Sequence, residues 1–176
     1  MGSGVFNAVA YIENPNSSAG AENVGYVIKV FNQDGISMYE RHGTTVIPAK
    51  RGVPVVESGI NLGGQTPSRI EFRLDNSIVW KREEVKETPL SVSNIVLTNA
   101  TSTPRLVAQV ENKDVKSYKN VEVVAILYDE EGNAIGASRT YADSLNAGSS
   151  VSLTFTWPIP FTKTPARIEV IPKLFI

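Results

Sequence analysis

An internal repeat with a period of 97 or 98 residues constrains the fold of this chain more than any other feature. The matches keep one order along the chain: Glu13-Asn14 with Glu111-Asn112, Val24 with Val121, 47–49 with 145–147, and PSRIEF at 67–72 with PARIEV at 165–170. A period this long exceeds the roughly 20–50 residues of a solenoid unit. We therefore predict a duplicated domain, with residues 5–82 as the first copy, a linker at 83–89, and residues 90–176 as the second copy.

The apolar residues of both copies follow the periodicity of β-strands. Residues 121–128 are mostly β-branched or aromatic, and they lead into residues 129–133, where Gly132 allows the positive φ of a tight hairpin turn. Apolar and polar residues alternate around Ile70, Phe72 and Leu74, and again in Val151, Leu153, Phe155 and Trp157. No segment keeps a helical i, i+3, i+4 stripe over three turns. The sequence predicts an all-β protein in which each copy is a two-sheet sandwich.

The two copies differ in one strand, and a charged segment separates them. Residues 90–98 read as an additional first strand of the second copy, and the first copy either lacks this strand or has it upstream of residue 5. Residues 81–89, KREEVKETP, form the one dense run of charge and are expected to be a solvated linker. Glu83 and Glu84 would point in opposite directions on an extended chain, so they are not expected to act as an acid pair.

Composition excludes several classes of function. The chain has 17 Lys and Arg against 18 Asp and Glu, which disfavours nucleic acid as a partner. It has no cysteine, so disulfides, thiolate nucleophiles and cysteine-ligated zinc are excluded. No nucleotide-binding motif is present. We expect no cofactor, and no apolar run in these residues is long enough to span a membrane.

A set of residues in the second copy resembles a known family. The set comprises Asn112, Val121, Val123, Leu127, Tyr128, Asp129, Gly132, Leu145, Gly148 and Phe155. It is similar to the bacterial FxLYD-type immunoglobulin-like domain, although Ala125 stands where that family has Phe. The first copy keeps the spacing at residues 28–32 without the same letters, so the resemblance covers about half of the chain.

This resemblance implies two tandem immunoglobulin-like β-sandwich domains without disulfides. It also implies a non-enzymatic module of a bacterial envelope protein, in an extracytoplasmic location, with a membrane anchor upstream of residue 5. A second resemblance, to the sandwich of desiccation-related late-embryogenesis proteins, implies instead a cytoplasmic stress protectant or a lipid-contacting protein.

Few residues are candidates for chemistry. His42 is the one histidine, and it lies on the returning strand of a hairpin beside Arg41, so we interpret it as a solvent-facing residue. Carboxylates at 129–131, Glu57 and Asp143 could hold calcium between tandem β-domains, but the EF-hand spacing is absent and the hairpin turn already explains Asp129. We predict neither a catalytic residue nor a metal site.

The strand at 121–128 is apolar on both of its alternating faces, and this suggests a binding surface. A two-layer sandwich buries one face of a strand, so Val124, Ile126 and Tyr128 are predicted to form an exposed apolar patch for a partner protein or a neighbouring domain. The alternative is that long Lys or Arg side chains cover this face. Trp80, Trp157 and Phe161 are predicted to lie at the domain junction.

The function expected from these observations is that of a structural, adhesive or protein-interaction module. The alternative is a cytoplasmic stress protectant or lipid-contacting protein, which predicts a cavity between the sheets. An enzyme with a site at the domain junction is a third interpretation, and it would require a pocket that holds His42 with a carboxylate at hydrogen-bonding distance.

Overall fold

A computed structural model describes residues 5–83 and 87–174, which fall into two compact units separated between Lys86 and Glu87. The described residues contain no helix, so the predicted all-β class is confirmed. No helix in the described part of the chain could cross a membrane.

Unit 1 consists of six strands in two sheets. They are β1 (Val5–Glu13), β2 (Ala19–Phe31), β3 (Ser37–Ile47), β4 (Gly52–Asn61), β5 (Arg69–Leu74) and β6 (Lys81–Arg82). One sheet has the order β3-β2-β5, with β6 paired to the start of β2, and the other sheet pairs β1 with β4. Alternate residues of these strands, including Ile28, Val30 and Val55, form a buried core between the sheets.

Unit 2 also consists of six strands in two sheets. They are β7 (Leu90–Thr98), β8 (Arg105–Asn112), β9 (Tyr118–Tyr128), β10 (Ala134–Leu145), β11 (Ser150–Thr156) and β12 (Arg167–Pro172). The sheets have the orders β10-β9-β12 and β11-β8-β7. Leu106, Leu127 and Phe155, each at most 1% exposed, represent the core that the two sheets enclose.

The strand pairing repeats with the offset that the sequence predicts. Val9 pairs with Val56 in unit 1, and Val107 pairs with Thr154 in unit 2. The residue numbers of the two pairs differ by 98 on both strands. The three-stranded sheets behave in the same way, because the pair Tyr26–Gly43 corresponds to Val123–Thr140 with a displacement of 97 residues. The units are therefore equivalent down to the register of their strands, and β7 is the strand that only unit 2 has among the described residues.

A buried asparagine occupies the same corner of each unit. In unit 2 the amide of Asn112, which is 0% exposed, donates to the carbonyls of Lys116, Leu145 and Asn146 at 2.7, 3.1 and 3.1 Å. Its Oδ1 accepts the backbone N–H of Asp114 at 2.9 Å. These bonds satisfy buried backbone groups where the chain leaves one sheet for the other.

Asn14 performs the equivalent task in unit 1. Its amide donates to the carbonyls of Ala19 and Pro48, and its Oδ1 accepts the N–H of Asn16. Pro48 and Asn146 are 98 residues apart, as are Asn14 and Asn112, so the match between the two asparagines seen in the sequence is also a match of hydrogen bonds.

The charged segment after unit 1 departs from the expected solvated linker. Lys81–Arg82 forms strand β6, and Glu83 is buried, with its Oε2 accepting the N–H of Ala49 at 2.6 Å. A Cβ at position 20 would lie 2.0 Å from that Oε2, so the glycine there makes room for the carboxylate. Glu83 therefore belongs to the fold of unit 1, because the Ala49 amide gives the buried carboxylate a partner. Glu84 lies outside the described residues.

Candidate functional site

The predicted apolar patch on β9 is not exposed. Val124 and Ile126 are 0% and 1% exposed, so the prediction of an accessible surface is wrong for both. The physical reason is that β9 is the central strand of its sheet, with β10 on one side and β12 on the other. Side chains of both neighbouring strands therefore lie beside the face that carries Val124 and Ile126. Arg139 and Ile171 are the cross-strand neighbours of Val124 and share its face.

Tyr128 is the one partly exposed member of the predicted patch, and an arginine covers its ring. The Arg167 guanidinium lies 3.9 Å from the ring centroid, and the Tyr128 hydroxyl donates to Glu169 at 3.1 Å. Arg167 also pairs with Glu169. A cation–π contact at an exposed site contributes about 0.5–1 kcal/mol.

Unit 1 contains the same arrangement. Arg69 lies 4.2 Å from the Phe31 ring centroid and pairs with Glu71. The aromatic residues are 97 residues apart and the arginines 98, so this arginine cover is part of the repeated scaffold. It agrees with the interpretation that long side chains cover the second face of the strand.

The turn after β9 holds a lysine between two carboxylates. The Lys163 Nζ lies 2.7 Å from Asp129 Oδ2 and 2.5 Å from Glu131 Oε2. Asp129 is buried, and its Oδ1 also accepts the N–H of Asn133 at 2.8 Å. The Lys163 ammonium holds the pKa of Asp129 well below its ordinary value, and the two carboxylates raise the pKa of Lys163.

This lysine occupies the place where the sequence analysis considered calcium. Within residues 5–83 and 87–174, no group of three or more His, Asp or Glu side chains is arranged to hold a metal ion. Lys163 is more than 30 residues from the turn along the chain, so the sequence alone did not pair it with Asp129.

The Asp129–Lys163 pair is expected to make the stability of unit 2 depend on pH at the acid end. Because the pKa of Asp129 is lower in the folded state, its contribution is present above the ordinary aspartate value of about 4 and is lost as the pH falls. Lys163→Ala should flatten this dependence. The measurement is urea unfolding between about pH 5 and 2, followed by Trp157 fluorescence in a Trp80→Phe background.

Lys119→Ala is the matched control, because Lys119 is an exposed lysine of the same unit. It should keep the acid dependence of the parent chain. An equal acid dependence in Lys163→Ala and Lys119→Ala would contradict the assignment.

A second coupled pair lies at the start of β9. The Tyr118 hydroxyl donates to Asp114 Oδ2 at 2.5 Å. Burial, followed by the bond to Asp114, raises the pKa of Tyr118 to about 12. The hydrogen bond joins Tyr118, the first residue of β9, to the loop between β8 and β9.

Tyrosinate absorbance should therefore include a late ionisation from Tyr118. We expect Tyr118 to titrate near pH 12 rather than near the ordinary value of about 10, and Tyr118→Phe should remove one tyrosine from the late part of the titration. The pair's contribution to stability is present below about pH 10 and is lost as the pH rises through the folded-state value. If Tyr118→Phe instead removed a tyrosine that titrates near pH 10, the assignment would be contradicted.

His42 lies where the sequence places it, on β3 and facing solvent. Its side chain is 73% exposed, and its Nε2 lies 2.9 Å from Glu40 Oε1. The hydrogen bond from Lys29, followed by the smaller effect of the hydrogen bond with His42, lowers the pKa of the Glu40 carboxyl. The pair lies on an exposed strand surface, which agrees with the interpretation of His42 as a solvent-facing residue.

The remaining predicted residues divide between core and surface. Trp157 is 6% exposed, its Nε1 donates to the Ala137 carbonyl at 3.1 Å, and its ring meets the Phe161 ring edge-on at 5.2 Å. Both aromatics pack on the core of unit 2, and their predicted place at the domain junction stays a prediction. Trp80 is 49% exposed in unit 1. Glu57 is buried, and its Oε1 accepts the Tyr26 hydroxyl at 2.7 Å.

Comparisons with known proteins give little beyond these observations. No protein-family model matches the chain, and no curated protein matches it. A β-glucuronidase from glycoside hydrolase family 2 is similar over 88% of this chain and 20% of its own, at 8% identity and a TM-score of 0.32. A Bacteroides uniformis β-glucuronidase is similar over 98% of this chain and 22% of its own, at 12% identity and a TM-score of 0.28. The chain thus spans about a fifth of the length of these solved structures.

Proposed function

We propose that this chain consists of two tandem immunoglobulin-like β-sandwich domains and serves as a structural or protein-interaction module of a bacterial envelope protein, without enzymatic activity. The observation that carries the proposal is the repetition of one scaffold. Strand register, the buried asparagine and the arginine over an aromatic ring all recur at 97 or 98 residues. A repeated domain adds length to a spacer or provides a second copy of a binding surface, so duplication is typical of both kinds of module.

The polar groups support the same proposal. The ion pairs of Lys163 and Lys173 join separate segments of unit 2, the Arg167–Glu169 pair lies within β12, and the Tyr26–Glu57 bond is buried in unit 1. These groups satisfy one another, whereas catalysis requires groups that converge on a substrate.

Single-molecule stretching tests the spacer role. Two domains that fold independently should give two separate unfolding events for each molecule, each lengthening the chain by roughly 28 nm less the length of the folded domain, since about 80 residues extend to about 3.5 Å each. A single event of twice this length would contradict two independent domains.

Protease treatment of intact cells of the source organism tests the location. An envelope module should be digested before lysis while a cytoplasmic marker protein is not. Survival of the chain until lysis would contradict the envelope role and favour a cytoplasmic protectant.

A further inference from the structure

Both units bury apolar residues at the same positions of their shared scaffold. Val24 and Val30 of β2 lie in the core of unit 1, and Val121 and Leu127 lie 97 residues further along in the core of unit 2. A strand of one unit would therefore find many of its apolar contacts in the other unit while the chain folds. Misassembly between neighbouring domains is a characteristic failure of chains that repeat one domain.

One layer of the core differs between the units. In unit 1, Ala8 pairs with Glu57 across strands β1 and β4. The equivalent pair in unit 2 is Leu106 with Phe155, 98 residues further along on both strands. Both Glu57 and Phe155 are buried, so an acidic residue and an aromatic residue occupy the same interior position of the two units.

The acidic residue of unit 1 has partners that unit 2 does not offer. The Tyr26 hydroxyl donates to Glu57 Oε1 at 2.7 Å, and the Arg41 Nε lies 3.5 Å from Glu57 Oε2. Strand register places Val123 of unit 2 at the position of Tyr26, and Ser138 at the position of Arg41. A valine side chain donates no hydrogen bond, and serine carries no charge.

The space in this layer is also matched to the tyrosine. A Cβ at position 43 would lie 2.4 Å from the Tyr26 hydroxyl oxygen, so the glycine there makes room for the phenol. The layer of unit 1 thus consists of Ala8, Tyr26, Gly43 and Glu57, and the equivalent layer of unit 2 consists of Leu106, Val123, Thr140 and Phe155.

Stability alone does not explain the polar layer. Replacement of a buried ion pair by well-packed apolar residues of similar volume is often neutral or stabilising. Unit 2 contains such an arrangement, since Leu106, Val123 and Phe155 fill the same layer of the scaffold without a charged group. The polar layer therefore distinguishes unit 1 from unit 2 more clearly than it strengthens the fold.

We propose that the Tyr26–Glu57–Arg41 group confines each strand to its own unit while the tandem chain folds. If β4 took the position of β11, Glu57 would be buried beside Val123 without the phenol and the guanidinium that serve it in unit 1. If β11 took the position of β4, Phe155 would face Tyr26, whose buried hydroxyl would lose its acceptor. Both exchanges are therefore unfavourable, although other apolar positions would accept either strand. The inference concerns folding and goes beyond the proposed envelope role.

Repeated stretching and relaxation of single molecules of the full chain tests the proposal. A correctly refolded chain gives two unfolding events, whereas a chain with strands exchanged between its units gives one event of about twice the length. In the apolar-layer variant, unit 1 receives the residues of unit 2 through Ala8→Leu, Tyr26→Val, Arg41→Ser, Gly43→Thr and Glu57→Phe. We expect double-length events to become about fivefold more frequent than in the parent chain.

The reciprocal substitutions are the matched control. The polar-layer variant gives unit 2 the residues of unit 1 through Leu106→Ala, Val123→Tyr, Ser138→Arg, Thr140→Gly and Phe155→Glu, and it should show a similar increase. A chain that carries both sets has two different layers again, so its double-length events should return to the parent frequency. If the effects of the two sets instead add together, the substitutions act through stability alone and the proposal is overturned.

Glu57→Gln keeps the test decisive if a transplanted layer fails to fold. Glutamine still accepts the Tyr26 hydroxyl but removes the ion pair with Arg41. We expect double-length events about twofold more frequent than in the parent chain, because glutamine is less costly than glutamate when it is buried without these partners. A frequency equal to that of the parent chain would overturn the proposal.

Discussion

Replacing Ile126 with lysine is expected to unfold unit 2 or to lower its free energy of unfolding by about 4 kcal/mol or more. Ile126 is 1% exposed, so the ammonium group would be buried, and the carboxylate of its cross-strand neighbour Glu169 already pairs with Arg167 and accepts from the Tyr128 hydroxyl. This is a large share of the roughly 5–15 kcal/mol that holds a typical domain folded. Urea unfolding followed by Trp157 fluorescence in the Trp80→Phe background measures the change.

Val115→Lys is the matched control for this prediction. Val115 lies in the same unit and is 90% exposed, so its replacement should change the unfolding free energy by no more than about 0.5 kcal/mol. If Ile126→Lys were as stable as Val115→Lys, the face of β9 that carries Ile126 would be accessible and the binding patch would be restored.

Replacing Asn112 with alanine should cost unit 2 about 2–4 kcal/mol. The Asn112 side-chain N–H groups donate to the carbonyls of Lys116, Leu145 and Asn146, and its Oδ1 accepts the N–H of Asp114. Alanine removes all four hydrogen bonds at once and leaves the buried backbone groups without their partner. The same fluorescence-detected unfolding measures the loss.

Two further variants define the origin of that loss. Asn146→Ala removes an exposed side chain and keeps the carbonyl that Asn112 uses, so it should be nearly neutral. Asn14→Ala should destabilise unit 1 by a smaller amount, because Asn14 makes three such bonds and is 6% exposed. Equal stability of Asn112→Ala and Asn146→Ala would show that the corner is held by packing alone.

Local patterns were sufficient to predict the strands and the turns. Residues 121–128 are strand as predicted, and the turn closes with the Gly132 N–H donating to the Asp129 carbonyl at 3.1 Å. Gly132 has a φ of 83°, which is the conformation that made glycine the expected residue there. These features depend on neighbouring residues, so they could be read from the sequence.

Partners that are distant along the chain could not be read in this way. Lys163 and Asp129 are 34 residues apart, as are Glu83 and Ala49. The indole N–H of Trp157 donates to the Ala137 carbonyl, which lies 20 residues away along the chain. Charge or size in the sequence does not identify which of many groups will be the partner.

The sequence by itself determined that the chain is built from strands and that one unit is repeated, because side-chain alternation and turn residues act over short distances and the repeat is visible in the letters. Only the tertiary structure decided which side chains are buried. Val124 and Ile126 alternate with the core residues of β9 and would face solvent in an isolated two-layer sandwich, yet both are buried. Burial depends on everything that packs around a residue, and a strand's own period fixes only which of two faces the residue occupies.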